Sequence, residues 1–415
     1  MALIDKIVGI ADAIRKKTDT TDKLTLDDMV GAIEGITTKF PNGTEWIQSN
    51  VVNGYYWKVC YGKGVWVAGA LSSGLYYSED GKTWTSVNTI TTYSIHYSHG
   101  LWVAANDEAV IYSTDGKTWT KSDLTKSVWG AYSSIQGVYY IGGLWYATDG
   151  STKTYYSVDG ASWAKVPSTP TLRGSYIYGN NIWVARRGNN GNEGLCYSTD
   201  GINFTVSNIT SGAYDPVYAN GIWVATSRSV SKGIYYSLDG KEWLQSNITS
   251  GYYNNNIEYL NGVWIALGSS YSDKMYLSGD GKIWSQVDVP YEYYRNIYYV
   301  NDKWFLSSNS GSVFCSLDCN TWKETNLPSF IESNPIVCMN GIWLACIYDN
   351  GVWYSLDGIT WGQSNLVSQI GNTSGFAYLV PKNANGVWVT GSSSGTRGLW
   401  YSVTWEPSKK LLGGV

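Results

Sequence analysis

Downstream of Trp46 the chain runs as short stretches of alternating apolar and polar residues cut by Gly-, Asn- and Asp-rich breaks, and one pattern returns about every 40 residues. Its first element is Gly-apolar-Trp-apolar-Ala, as in Gly64-Val65-Trp66-Val67-Ala68 and Gly221-Ile222-Trp223-Val224-Ala225. The tryptophans of this element are Trp66, Trp102, Trp145, Trp183, Trp223, Trp264, Trp304, Trp343 and Trp388. Its second element is aromatic-Ser-x-Asp-Gly-x-x-Trp: Ser78/Asp80/Trp84, Ser113/Asp115/Trp119, Ser157/Asp159/Trp163, Ser237/Asp239/Trp243, Ser278/Asp280/Trp284 and Ser355/Asp357/Trp361. Ser198/Asp200/Phe204 changes the aromatic, and Ser316/Asp318/Trp322 carries Cys319 in place of the glycine. Eight copies at one register make a tandem repeat.

The residue types have physical reasons. Asp-Gly between two strand-like runs supplies a tight turn, because Gly accepts positive φ and the Asp and Ser side chains can tie the turn's amides. Five residues before the Gly-x-Trp tryptophan sits Tyr61, Tyr97, Tyr140, Tyr178, Tyr218, Tyr259 or Tyr299, with Cys338 in the eighth unit. Two residues earlier comes an apolar residue such as Val59, Ile95 or Ile297. That period-two pair marks a further strand with one buried face. Each unit therefore holds four short strands, which is the content of a propeller blade.

The second element is similar to the Asp-box (BNR-type) repeat of sialidases and sortilin-like propellers, over roughly residues 42–405. The resemblance implies a mainly β fold, a single β-propeller whose boxes are structural and sit on outer hairpins. Closure follows from the chain ends. Asn42 to Asn50 copies the outer-strand segment Asp239 to Asn247 with no blade before it, while Ser402-Val403-Thr404-Trp405 has lost the Asp-Gly turn. The segment around Trp46 is expected to complete the last blade and remove two exposed sheet edges. Nine four-stranded blades result if every unit joins one ring; eight plus a divergent segment stays open.

Residues 1–36 differ in kind, with twelve charges and no Trp. Ile4, Ile7, Ala11 and Ile14 recur at helical spacing, and Leu26, Met29 and Ile33 form a second apolar set, opened by Thr25 with Asp28 three residues on and closed by Gly35. An α-helical hairpin is expected at 1–36, then a linker at 37–41, the propeller at 42–405 and a tail at 406–415. Two such helices bury too little apolar surface to stand alone, so the stripe is expected to serve anchoring or self-association. This segment resembles a short helical module at the start of many phage and prophage tail or virion surface proteins, which implies an attachment role.

Composition narrows the function classes. A net charge of −4 and a pI near 5.3 exclude a basic nucleic-acid binder. Only 15% of residues are charged, whereas 22 Trp and 35 Tyr must be placed in aromatic layers. Six cysteines without a C-x-x-C pair indicate reduced thiols, and two histidines, His96 and His99, leave little for a zinc site or a Ser/His/Asp triad, so no cofactor or metal is expected. Sequons such as Asn208-Ile209-Thr210 are read as turn-friendly residues. No apolar run approaches membrane length and Met1 to Asp5 opens no signal peptide, so a chain not exported by the general route is expected. This agrees with the resemblance to virion proteins, which implies assembly in a bacterial host's cytoplasm.

In a propeller the segments joining outer to next inner strand, and second to third strand, share the face opposite the Asp-Gly turns. The former carry the candidate ligand-binding residues Tyr56, Trp57, Tyr93, Trp129, Tyr132, Tyr214, Tyr252, Tyr253, Tyr293, Tyr294 and Arg295 amid Asn, Ser, Thr and Gly. Aromatic faces beside amides and hydroxyls suit sugar rings, although some of these aromatics could instead plug the shaft. The sequence therefore reads as a non-enzymatic virion surface protein, anchored by residues 1–36 to other virion proteins or copies of itself. Its propeller is expected to present a site for a host cell-surface polysaccharide, with no nucleic acid and no membrane insertion. A purely architectural connector is the second reading. A sialidase-like glycoside hydrolase is the third: Arg173, Arg186, Arg187, Arg228, Arg295 and Arg397 all fall on the loop face. Sialidases, however, focus three arginines on one pocket and pair a Tyr nucleophile with a Glu. The candidate pairs here, Glu258/Tyr259 and Glu292/Tyr293, are sequence neighbours that alternate to opposite strand faces.

Overall fold

The computed structural model describes residues 46–54, 56–71, 73–130, 135–149, 153–167, 170, 172–188, 194–227, 232–250, 257–268, 274–289, 294–308, 311–328, 336–339, 341–347, 350–366, 382–384, 387–391 and 398–403. The expected helical hairpin at 1–36 with its anchoring residues, the linker at 37–41 and the tail at 406–415 lie outside the described residues.

Nine antiparallel four-stranded sheets form a propeller of nine blades. Blade 1 runs through Tyr56–Gly62, Val65–Ala70, Gly74–Ser78 and Thr85–Asn88, in that order from the inside outward. The inner strands of blades 2 to 9 are Thr92–Ser98, Gly137–Ile141, Leu172–Gly179, Ala213–Ala219, Ile257–Leu260, Tyr294–Val300, Val337–Met339 and Lys382–Ala384. Blade 9 takes its outer strand from the other end of the chain. Ile47–Gln48 pairs antiparallel with Leu399–Val403, Ile47 opposite Tyr401 and Gln48 opposite Trp400. The pairing continues where Ser49 N donates to Leu399 O and Leu399 N donates to Val51 O, both at 2.9 Å.

The core is a set of wedges between blades. Trp46, only 3% exposed, packs with Leu344, Cys346, Val352 and Leu366 of blade 8. Val387, Val389 and Leu399 of blade 9 pack with Val59 and Trp66 of blade 1. Corresponding buried clusters fill the seven remaining blade boundaries, so the wheel is closed. Eight of the nine clusters hold a Gly-x-Trp tryptophan, the cluster between blades 8 and 9 holding Trp46 instead, and in seven blades that tryptophan lies beside the Tyr opposite it in register. The Tyr178–Trp183 centroids, for example, are 4.4 Å apart and the Tyr259–Trp264 centroids 5.0 Å.

The Ser-x-Asp-Gly turns consume their own polar groups. In the turn at Ser237, its hydroxyl donates to Asp239 Oδ1 and accepts from Gly240 N, while Asp239 Oδ1 also accepts from Lys241 N and Glu242 N. Gly240 has φ +75°, and a Cβ there would stand 3.1 Å from Trp223 Nε1 of its own blade, so both conformation and space select glycine. The seventh turn puts Cys319 at φ +59° instead. The carboxyls of Asp80, Asp115, Asp159, Asp200, Asp239, Asp280, Asp318 and Asp357 are all held below the ordinary carboxylate range. In Asp115, Asp159, Asp280 and Asp318 the largest influence is the amide three residues on. In the other four, burial is largest and pushes upward, but the summed hydrogen bonds outweigh it.

A second device ties blade to blade. Four residues after the outer-strand aromatic, Asn50, Asn208, Asn247, Asn326 and Asn365 each reach the next blade. There the side-chain amide donates to the carbonyl, and its oxygen accepts from the amide, of Trp84, Trp243, Trp284, Trp361 and Trp46 respectively. The preceding Ser or Thr, such as Ser246 accepting from Ile248 N, turns the chain so that the Asn faces that way. The Asn365 and Asn50 clamps sit on either side of blade 9 and brace the closure.

Candidate functional site

Strand direction puts the Ser-x-Asp-Gly turns at one rim and the beginnings of the inner strands at the other. At that second rim five inner strands break register. In blade 1, Tyr56 lies opposite Ala70 but Lys58 opposite Gly69, which leaves Trp57 as an extra residue. In blade 2 the extra residue is Tyr93, and in blade 7 Arg295. Blade 4 shifts between Arg173 and Tyr176, and blade 5 between Ala213 and Pro216, spanning Tyr214.

These bulges have a packing cause. Val59 and Tyr56 both enter the wedge between blades 9 and 1, three residues apart, although odd spacing in a regular strand would send them to opposite faces. Ile297 and Tyr294 repeat this in the wedge between blades 6 and 7. One inserted residue restores a common face, and the inserted position falls outside the ladder.

Three of the sequence-predicted ligand residues are thereby reassigned. Tyr56 (0% exposed), Trp129 (1%) and Tyr294 (2%) are core side chains, with no ring face left for a ligand. Tyr56 also meets Tyr76 edge-on at 6.0 Å, and burial holds its hydroxyl far above the ordinary phenol value. Trp129 ends a single helical turn, Lys126–Trp129, that plugs the wedge between blades 2 and 3. Reading Tyr56-Trp57 and Tyr293-Tyr294-Arg295 as uniform loop segments missed that strand pairing already begins at Tyr56 and Tyr294. Trp57, Tyr93, Tyr214 and Arg295, by contrast, all fall at the register breaks. Tyr93 is half-buried and its hydroxyl donates to Asp107 Oδ1 at 2.5 Å, on the turn between the second and third strands of its blade. The side chains of Trp57, Tyr214 and Arg295, and the whole of Tyr132, Tyr252, Tyr253 and Tyr293, lie outside the described residues.

The arginines divide. Arg173 pairs in register with Arg186, and Arg187 follows on the same strand of blade 4. Arg187 Nη2 donates to Thr210 O at 2.9 Å on the way into blade 5. Arg295 belongs to blade 7, while Arg228 and Arg397 lie outside the described residues. Glu258 and Tyr259 part as alternation requires: Tyr259 enters the wedge between blades 5 and 6, and Glu258 lines a cavity on the blade 7 side.

That cavity has a volume of about 190 Å³ and opens on the inner wall of blades 6 to 8. Its lining includes Glu258, Leu267, Asn296, Ile297, Tyr298 and Ile336. Glu258 is open to the shaft, yet protein crowds around it and this desolvation raises its carboxyl above the ordinary range. Asn296 follows immediately on the blade 7 bulge, and its Nδ2 is buried without a hydrogen-bond partner. Sequence reasoning missed Asn296; its only signal was a polar residue beside an apolar one at the start of an inner strand. Among the described residues no cluster of three or more His, Cys, Asp or Glu is placed to hold a metal ion, and no helix is long and apolar enough to cross a membrane.

The chain matches no protein-family model, and no curated protein matches it. Among solved structures it is similar to the computationally designed Ika8 protein, at 10% identity and TM-score 0.48 over 76% of this chain and 98% of that one. It is similar to YCF48 from Cyanidioschyzon merolae, at 12% identity and TM-score 0.40 over 74% and 95%. BamB from Moraxella catarrhalis is another such structure, at 11% identity and TM-score 0.42 over 86% and 96%. At these identities the likeness concerns the fold alone.

Proposed function

We propose that this propeller is a non-enzymatic attachment module of a phage or prophage virion, which binds a bacterial surface polysaccharide on the bulged face and is joined to the particle through residues 1–36. The observation that carries the reading is the coincidence of Trp57, Tyr93, Tyr214 and Arg295 with register breaks of the inner strands. Bulges are over-represented beside active sites, where they re-aim a side chain. Three aromatic residues and one arginine at the starts of inner strands on one rim suit a chain of sugar rings by their chemistry: aromatic faces stack on C–H surfaces, and a cation and nearby amides take hydroxyls. The similarity of the turns to Asp-box repeats and of residues 1–36 to virion N-terminal segments supports the same reading. Weak single sites would gain strength from many copies per particle.

The parting of Glu258 from Tyr259, and of the blade 4 arginines from Arg295, favours binding over sialidase-like hydrolysis. The test is retention of the intact chain on purified bacterial wall polysaccharides and on glycan arrays. Trp57→Ala and Tyr214→Ala should each reduce retention several-fold, while Leu238→Ser and Leu356→Ser at exposed turn tips should not. No retention on any polysaccharide would leave the architectural role, and release of reducing sugar from a bound glycan would replace binding by hydrolysis.

A further inference from the structure

We infer that Asp107 is a positioning residue of the polysaccharide site, which holds the Tyr93 ring in one orientation for a sugar to stack on. The inference rests on the attachment reading above and adds a residue that no motif of the sequence singles out. Of the four residues at the register breaks, Tyr93 is the one whose side chain the structure describes. The bulge lifts it out of the ladder, between Thr92, which lies opposite Asn106, and Ser94, which lies opposite Ala105. A side chain taken out of the ladder loses its cross-strand neighbours, so its direction has to be set by something else.

Here Asp107 sets it. The Tyr93 hydroxyl donates to Asp107 Oδ1 at 2.5 Å, the short range of a hydroxyl bound to a carboxylate. The turn that carries Asp107 has supports of its own. Asp107 N donates to Thr91 O at 3.2 Å, and Oδ1 of the buried Asn106 accepts from Glu108 N and Ala109 N, both at 2.9 Å. Thr91 is tied onward to blade 1, its hydroxyl donating to Leu71 O at 2.6 Å. Backbone and Asn106 bonds therefore close the turn without Tyr93. What the Tyr93–Asp107 bond adds is a fixed direction for a half-buried ring that keeps part of its surface open. A side chain ordered before the ligand arrives spares the ordering cost at binding, which amounts to about two- to tenfold in affinity.

The test uses the intact chain and, as probe, the purified bacterial wall polysaccharide that retains it best. Tyr93→Phe keeps the ring and removes only the hydroxyl, and Asp107→Leu removes the acceptor; each should weaken retention about two- to tenfold. The double variant should lose no more than either alone, because both changes cut the same bond. Asp107→Asn still offers an oxygen to the hydroxyl and should be retained like the unaltered chain, which separates ring placement from charge. Melting curves on the same samples report the fold. A bond that served stability alone would lower the melting temperature of Tyr93→Phe and leave retention of the folded protein unchanged. Tyr93→Phe decides the matter by itself if Asp107→Leu does not fold. Full retention of folded Tyr93→Phe, additive losses in the double variant, or loss of retention in folded Asp107→Asn overturns the positioning role and spares attachment. Retention of the unaltered chain on no polysaccharide sinks the attachment reading, and the positioning role falls with it.

Discussion

The two rims of the wheel differ in regularity. On the turn side each Ser and Asp is spent on backbone amides, the turn residue is a glycine in seven of eight cases, and the same geometry recurs from blade to blade. On the other side five inner strands slip register. The lesson is a division of labour. Repetition belongs where the sequence must specify one wheel, and the departures from it collect at the rim where the inner strands begin.

Variants can break or sharpen this contrast, and the largest effect should come from the closure. Trp46→Ala removes a buried indole from the wedge against blade 8 and should cost about 3–5 kcal/mol in chemical denaturation. Losses below about 1 kcal/mol would mean that the ring does not depend on its terminal strand. Next comes the inter-blade clamp: Asn247→Ala leaves Trp284 N and O without their partners and should cost about 1–3 kcal/mol. Gly240→Ala, forced to hold φ +75° against Trp223, should lose about 1–2 kcal/mol and keep its glycan retention.

Acid should act on the turn side as well. The eight turn carboxyls titrate lower in the folded ring than their ordinary value of 3.8, so their contribution is complete above about pH 4 and is lost as pH falls through the lower folded values. His96 adds an earlier and smaller phase. Burial first, and Lys58 second, depress it below 6.5, so the unfolded chain takes the proton sooner and stability declines as pH drops below 6.5. His96→Gln should erase that early phase in a series of melting curves and leave the steep loss below pH 4. The smallest effect is expected at Leu238→Ser and Leu356→Ser, whose exposed side chains should change stability by no more than about 0.5 kcal/mol.

Much of the wheel was legible because its determinants are local and repeated. The Gly-x-Trp and Ser-x-Asp-Gly signals specified a propeller of nine or eight blades and their strand order, the orphan copy around Trp46 pointed to closure, and the structure has nine. The Asn clamp was written in the same spacing, four residues after Trp46, Phe204, Trp243, Trp322 and Trp361. It was not recognised because its meaning lies in a neighbouring blade, and a turn-favouring residue explains an Asn equally well. The site was less legible. Tyr56 and Trp57 are adjacent aromatics of similar chemistry, and only a bulge, which depends on pairing with Ala70 and Gly69, sends the first to the core and takes the second out of the ladder. Trp129 was misjudged for a related reason: a four-residue helical turn between blades carries no periodicity to betray its burial.

Hydrogen exchange of the intact chain, with and without a retained bacterial polysaccharide, tests the central claim most directly. Protection is predicted at the bulged strand starts, in residues 56–58, 92–94, 173–176, 213–216 and 294–296, with exchange in the Ser-x-Asp-Gly turns unchanged. Protection concentrated in those turns, or spread evenly over both rims, would contradict the assignment of a binding face.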